Sequence, residues 1–264
     1  MYGFDYHRPG SVADAASALG GASDGKYLAG GQTLLGTMKQ RLASPSDLVD
    51  LGGIADLKGI TSDGSSVTIG ATTTHAEVAS SSDVQSVVPA LAAMAGDIGD
   101  RQVRNAGTIG GSLANNDPAA DYPAAVLALG ATINTNKRSI PADDFITGMF
   151  ETALEEDEII TSVSFPATAS AAYMKFKQPA SRFALVGVFV AKAADGVRVA
   201  VTGATSHAHR GPRLEAALNE NFSASAVDAV ELPVDKMNSD IHASGEYRAN
   251  LVKVMTQRAV DACG

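Results

Sequence analysis

Tryptophan is absent from this 264-residue sequence, and cysteine occurs once, as Cys263. One cysteine cannot close an internal disulfide, a cysteine-based zinc site or an iron–sulfur cluster. Redox chemistry associated with the chain would therefore use an organic cofactor or metal centres on another polypeptide. Positive charge is scarce too. The 20 Lys+Arg against 29 Asp+Glu leave a net charge of −9, which argues against a nucleic-acid or anionic-membrane partner. No apolar run approaches the ~18 residues that cross a bilayer. The opening Met1-Tyr2-Gly3-Phe4-Asp5-Tyr6 has neither the basic region nor the apolar core of a signal peptide. A soluble, cytoplasmic protein is expected. The remaining composition, 45% hydrophobic and 19% charged with 26 glycines, is that of a globular chain with a sizeable core in one or two domains.

The glycines fall at element junctions. Ser11-x-x-Asp14 predicts a helix start, with Val12, Ala15, Ala16 and Leu19 on one face and Gly20-Gly21 as its stop. A strand over Lys26 to Ala29 runs into Gly30-Gly31. A helix with Leu34, Leu35, Met38 and Leu42 on one stripe follows, ended by Pro45, and Leu48 to Leu51 reads as the next strand. This strand–helix–strand order predicts a parallel pair. The middle reads as an α+β unit with antiparallel pairing. Leu57 to Ile60 and Val67 to Ala71 flank the turn Ser62 to Ser65, helices are expected over 74–80 and 88–99, and strands over Ala131 to Thr135 and Ile159 to Phe165. Pro166 to Ala172 is loop-like. Beyond it, Phe183 to Lys192 and Val197 to Thr202 form a hairpin about Asp195-Gly196, and Glu246 to Ala262 is helical, with Tyr247, Leu251, Val254, Met255 and Ala259 along one face.

Two glycine pairs carry the candidate chemistry. One is Ala29-Gly30-Gly31-Gln32-Thr33, the other Gly107-Thr108-Ile109-Gly110-Gly111-Ser112. Backbone without Cβ can approach a bulky anion and turn several N–H groups towards it, and a helix N-terminus adds partial positive charge. Tight turns would show the same residues. Neither pair matches the dinucleotide fingerprint of glycines or the phosphate loop with its lysine. Asp117-Pro118 reads as N-cap and first residue of a helix to about Leu129. Asp121 in its first turn either stabilises the helix dipole or accepts hydrogen bonds from hydroxyls of a nucleotide or polyol. His75 contacts a ligand or caps a helix. His207-x-His209 reads as surface histidines near a turn rather than metal ligands, because no third ligand is placed.

These segments resemble, in order along essentially the whole chain, the FAD-binding medium subunits of molybdenum hydroxylases. That group includes the carbon monoxide dehydrogenase medium subunit and the flavin portion of xanthine dehydrogenase. Ala29 to Leu35 is similar to its first flavin motif. Gln102 to Asp121 is similar to the second, Ile69 to Glu77 to the segment linking them, and Glu156 to Ile160 and Phe176-Lys177-Gln178 to later landmarks. The resemblance implies an α+β fold. Residues 1–166 would form an FAD-binding domain of the vanillyl-alcohol-oxidase (PCMH) type, in subdomains of about 1–53 and 54–166. Residues 172–264 would form a C-terminal three-stranded antiparallel sheet with a helical bundle.

By motif, the resemblance places Ala29, Gly30, Gly31, Gln32, Thr33, Leu34, Thr74, His75, Gly107, Thr108, Gly110, Gly111, Ser112 and Ala114 around FAD. It also puts Asp121 on the polyol side of the flavin and Ile160 and Lys177 near its ring. No catalytic or metal-ligating residue is implied in this chain. The implied partners are a large molybdenum-cofactor subunit and a small subunit with two two-iron two-sulfur clusters, as a dimer of heterotrimers loosely tied to the inner membrane face through partners, with quinone or NAD as acceptor. Carbon monoxide dehydrogenase subunits often carry His-Ser where this chain has Gln32-Thr33, so the resemblance names no substrate. Other readings are a free-standing flavin oxidase of the same fold and a non-catalytic nucleotide-binding subunit.

Overall fold

The computed structural model describes residues 1–168, 170–193 and 195–263. Its first unit is a small parallel sheet. Strand Asp47–Asp50 lies between Asp5–His7 and Gly25–Leu28, both parallel to it. The helix Val12–Gly20 begins where Ser11 accepts a hydrogen bond from the Asp14 amide at 3.1 Å, and it packs Ala15 and Leu19 against Val49 and Leu51. The strand Asp5–His7 is new relative to the sequence reading: Asp-Tyr-His at a half-exposed edge carries no apolar alternation. The following helix is shorter than its leucine stripe suggests. It spans Leu34–Lys39 and closes when Arg41 turns left-handed (φ 62), which leaves Leu42 75% exposed.

The second unit is a five-stranded antiparallel sheet in the order Ile60–Ser62, Ser66–Gly70, Ile160–Pro166, Thr132–Thr135 and Ser139–Pro141. One face is covered by helices whose core includes Leu91, Ile109, Leu113, Tyr122, Phe145 and Phe165. The helix expected over 88–99 is present as Pro89–Gly96, and a separate short helix, Ser82–Val87, that the sequence reading did not expect precedes it. Proline disfavours α geometry in the residue before it, and Val88 sits at φ −142, ψ 73. The helix expected from Asp117-Pro118 begins later, at Asp121, and runs to Leu129 with every residue buried. Asp117 does not cap it; its carboxylate accepts from the Ala119 amide in a turn that precedes the helix.

The third unit is an antiparallel sheet of Ser170–Lys177, Ala184–Ala193 and Gly196–Thr202, extended by a fourth, two-residue strand His209–Arg210 beyond the three that the resemblance implies. Its helical part is two α-helices, Pro212–Glu220 and Gly245–Ala262, with single 3-10 turns between them. Strand Ala184–Ala193 is buried on both faces. Val186, Val188 and Val190 meet Leu214, Leu251 and Met255, whereas Phe189 and Ala191 join the core of the second unit. This two-residue period puts one sheet into two cores. Tyr247, expected on the buried face of the last helix, is 44% exposed and meets Phe176 edge-on. Among the described residues no helix is long and apolar enough to cross a membrane.

Candidate functional site

Where the first two units meet, the chain leaves strand Gly25–Leu28, turns through Gly30-Gly31 and enters the helix Leu34–Lys39. The second glycine turn comes to it directly. A Cβ at Gly30 would collide with the Ala106 carbonyl oxygen and lie 2.7 Å from the Gly107 Cα, and one at Gly111 would lie 3.7 Å from the Ala29 Cβ. Gly31 is left-handed (φ 66), and a Cβ there would meet the Leu35 side chain at 2.7 Å. Gly110 is packed on Ala71, whose Cβ would be 2.6 Å from an added Cβ. The glycines thus let two backbones touch each other, a role the sequence reading did not separate from approach to a ligand.

The contact forms the floor of a cleft of about 470 Å³, within the usual ~300–1,000 Å³ range of small-molecule sites. Every residue expected at the cofactor lines it except Thr74 and Lys177. Thr74 is the N-cap of helix His75–Ser80. Its hydroxyl and amide both bond Glu77 in a reciprocal capping box, so its side chain is turned to the helix end while its backbone bridges to Thr108. Lys177 is half exposed and pairs with Asp97, next to the cleft-lining Ile98 and Gly99, outside the wall itself.

The two turns differ in free donors. The amide of Ile109 donates to the Thr73 carbonyl at 3.2 Å, that of Gly110 to the Ala71 carbonyl at 2.9 Å, and that of Gly111 to the Thr108 hydroxyl at 3.1 Å. The opening amides of helix Ile109–Asn115 are therefore taken by the protein. By contrast, among the described residues the amides of Gly30, Gly31, Gln32, Thr33 and Leu34 donate to no protein acceptor, and the Thr33 side chain makes no capping bond. Consecutive unpartnered amides beside a left-handed glycine form a concavity suited to an anion. Lys26 and Arg182 also line the cleft and add positive charge that the sequence reading did without.

His75 is buried against the second turn. Its amide donates to the Gly107 carbonyl at 3.0 Å, its ring lies 5.3 Å from that of Tyr122, and its Nδ1 has no partner. Burial, with a smaller push from Arg104, lowers it to about 4, so the imidazole is neutral at physiological pH. Asp121, also buried, receives the Tyr173 hydroxyl and the Lys175 ammonium, the latter at 3.0 Å. Burial pushes this carboxyl up, and those two groups oppose it. Ile160 is buried in the wall beside Ile159 and Glu158. Glu158 is held as a carboxylate, lowered to about 2 chiefly by Arg138.

Sequence reasoning missed Tyr27, Leu51, Val103 and the mouth residues Ser181, Arg182 and Phe183. The last three follow the Phe176-Lys177-Gln178 landmark and are folded inward by Gln178, whose side chain accepts from the amides of Ala180 and Ser181. His207 and His209 lie elsewhere, with rings 6.5 Å apart, and His209 shares its Nδ1 with Thr205. Among the described residues no three His, Cys, Asp or Glu side chains are grouped so that they could hold a metal ion.

Residues 2–168 match the family described as the FAD binding domain in molybdopterin dehydrogenase. The chain is 40% identical over 220 residues to the carbon monoxide dehydrogenase medium chain of Hydrogenophaga pseudoflava, covering 78% of this chain and 77% of that one. It is 38% identical over 224 residues to the nicotine 6-hydroxylase medium subunit of Paenarthrobacter nicotinovorans, covering 81% and 79%. Among solved structures, carbon monoxide dehydrogenase from Hydrogenophaga pseudoflava superposes with a TM-score of 0.90 at 37% identity, covering 98% of this chain and 96% of that one. Quinoline 2-oxidoreductase from Pseudomonas putida 86 gives a TM-score of 0.90 at 30% identity, covering 100% and 97%. With the glycine turns, the cleft between them and these relatives in agreement, the chain belongs to the family of FAD-binding medium subunits of molybdenum hydroxylases, a group of oxidoreductase subunits.

Proposed function

We propose that this chain is the electron exit of a heterotrimeric molybdenum hydroxylase, holding FAD between residues 1–166 in the two-subdomain arrangement, with residues 172–264 as a second domain. When bound, FAD would take electrons from iron–sulfur clusters of a small partner subunit and deliver them to an external acceptor, a quinone or NAD. The single cysteine cannot ligate those clusters, and the substrate is oxidised on a large molybdenum-bearing subunit. The relatives' names span carbon monoxide, nicotine and quinoline, which fits a substrate pocket on another chain. The assembly in this reading is a cytoplasmic dimer of heterotrimers that meets the inner membrane face only through partners.

The observation that carries the proposal is the row of unpartnered amides, Gly30 to Leu34, on the floor of a cleft that only glycine lets form. These amides, with the hydroxyls of Thr33 and Ser112, would hold the cofactor's diphosphate. Asp121 would accept from the hydroxyls of its polyol chain. Tyr27, Leu51 and Ile160 supply apolar wall that excludes water. The chain's own work is to bind and orient, and it needs no general base. The test is flavin content of the complex purified with its partner chains. One FAD per copy of this chain is expected, bleached by the complex's substrate, with most flavin lost in Gly30→Val. A flavin-free wild-type complex, or full flavin in Gly30→Val, would overturn the proposal.

A further inference from the structure

A buried ion pair crosses from the C-terminal sheet to the cleft. Tyr173, Lys175 and Lys177 share one face of strand Ser170–Lys177. The Lys175 side chain is 1% exposed, and its ammonium donates to Asp121 Oδ1 at 3.0 Å and to the Asp97 carbonyl at 3.2 Å. Tyr173 donates to the same Oδ1. It can do so because the facing strand has Gly187 there: a Cβ would collide with the Tyr173 hydroxyl. Asp121 Oδ2 takes no bond from the described residues, and Asp121 lines the cleft. Asp97 in turn pairs with Lys177 at the rim.

Stability alone is a weak reason for this arrangement. A buried ion pair is often no better than apolar side chains of the same size, because desolvation offsets the attraction. Its geometry does something apolar packing would not. Both protein bonds fall on one carboxylate oxygen of a residue that lines the cleft, and the other takes no bond from the described residues.

We propose that Lys175 is a positioning residue for the cofactor site: through its ion pair with Asp121, and with Tyr173 beside it, it keeps that carboxylate charged and aimed so that Oδ2 accepts from the hydroxyls of the bound polyol chain. This rests on the reading of the cleft as the FAD site and extends it, because it makes the C-terminal sheet part of that site. The groups facing Asp121 are Lys175 and Tyr173 from the strand, Asp97 at the end of helix Pro89–Gly96, and Tyr122 beside it on its own helix.

The test is a double-mutant cycle in the full chain within its complex, reading FAD dissociation constant by fluorescence and thermal stability of the flavin-free protein against pH. Lys175→Met should weaken FAD about tenfold in the wild-type background and less than about twofold beside Asp121→Asn, since coupled residues are non-additive. Its flavin-free form should lose stability, relative to wild type, as pH rises from about 4 to 8, because the unfolded carboxyl ionises freely while the buried, unpaired one resists. Asp121→Asn should abolish that slope. Tyr173→Phe, which keeps the ring, should weaken FAD by about threefold at unchanged fold. Equal loss from Lys175→Met in both backgrounds, or a wild-type dissociation constant in both Lys175→Met and Tyr173→Phe, would overturn the role. A flavin-free wild-type complex would remove the reading beneath it, which the pH slope of the flavin-free protein tells apart from failure of the ion pair.

Discussion

The two glycine turns look alike in sequence, each a Gly-Gly among small hydroxylated residues before a helix, yet the structure uses their amides in opposite ways. In the turn at Gly30-Gly31 five successive amides are unpartnered among the described residues. In the turn at Gly110-Gly111 the matching amides are spent on Thr73, Ala71 and Thr108. The first leaves donors free for the anion that the proposed function assigns to it, and the second spends its donors inside the protein and packs against the first. A glycine-rich segment followed by a helix is thus no measure of free donors. What decides is whether neighbouring strands have already claimed them.

The largest contrast should come from adding a side chain to each turn. Gly30→Val drives a Cβ into the other turn's backbone and is expected to cut FAD occupancy more than about tenfold. Gly110→Val forces Ala71 aside in the core, and overpacking of this kind should cost about 1–3 kcal/mol of stability. Flavin titration and urea unfolding of both variants would break the comparison if Gly110→Val lost flavin at full stability while Gly30→Val kept it.

The next contrast is one of pH. His75 backs only the second turn, through the Gly107 carbonyl. Burial lowers it to about 4 in the folded chain, against about 6.5 when unfolded. Above the unfolded value the imidazole is neutral in both states. As pH falls from about 6.5 to about 4 the unfolded chain gains the proton first, so stability should drop across that window. His75→Gln should flatten this part of the profile. A profile equally steep in the variant would place the titration elsewhere.

The smallest effects separate the hydroxyls. Thr108 caps helix Ile109–Asn115, so Thr108→Ala should cost about 1 kcal/mol. Thr33 makes no capping bond, so Thr33→Ala should leave the melting temperature unchanged and weaken FAD by a few-fold, about the worth of one hydrogen bond.

Much of this fold was legible because local physics decided it. Ser11 caps its helix, the parallel pair around Val49 follows from the strand–helix–strand order, and the valine alternation of Gly196–Thr202 became a sheet. Local signals also fix two helix starts: Pro89 opens the helix expected over 88–99, and Thr74-x-x-Glu77 is a capping box that starts the helix expected over 74–80 and so occupies the threonine expected at the cofactor. The cleft's location followed from the order of the motifs. Its donor pattern did not, since the partners of Ile109 and Gly110 lie some forty residues earlier. Nor did the burial of Lys175, because the two lysines of Tyr-Met-Lys-Phe-Lys share one strand face and nothing local says which of them is covered. The short strand Asp5–His7 forms only because Asp47–Asp50 offers it an edge.

The most direct test of the division of labour is a structure of the chain with FAD bound, read for what each amide touches. The account predicts diphosphate oxygens within hydrogen-bond reach of the amides between Gly30 and Leu34, with Ile109, Gly110 and Gly111 still donating to Thr73, Ala71 and Thr108. A diphosphate seated on those three amides, with the Gly30–Leu34 row left facing water, would contradict it.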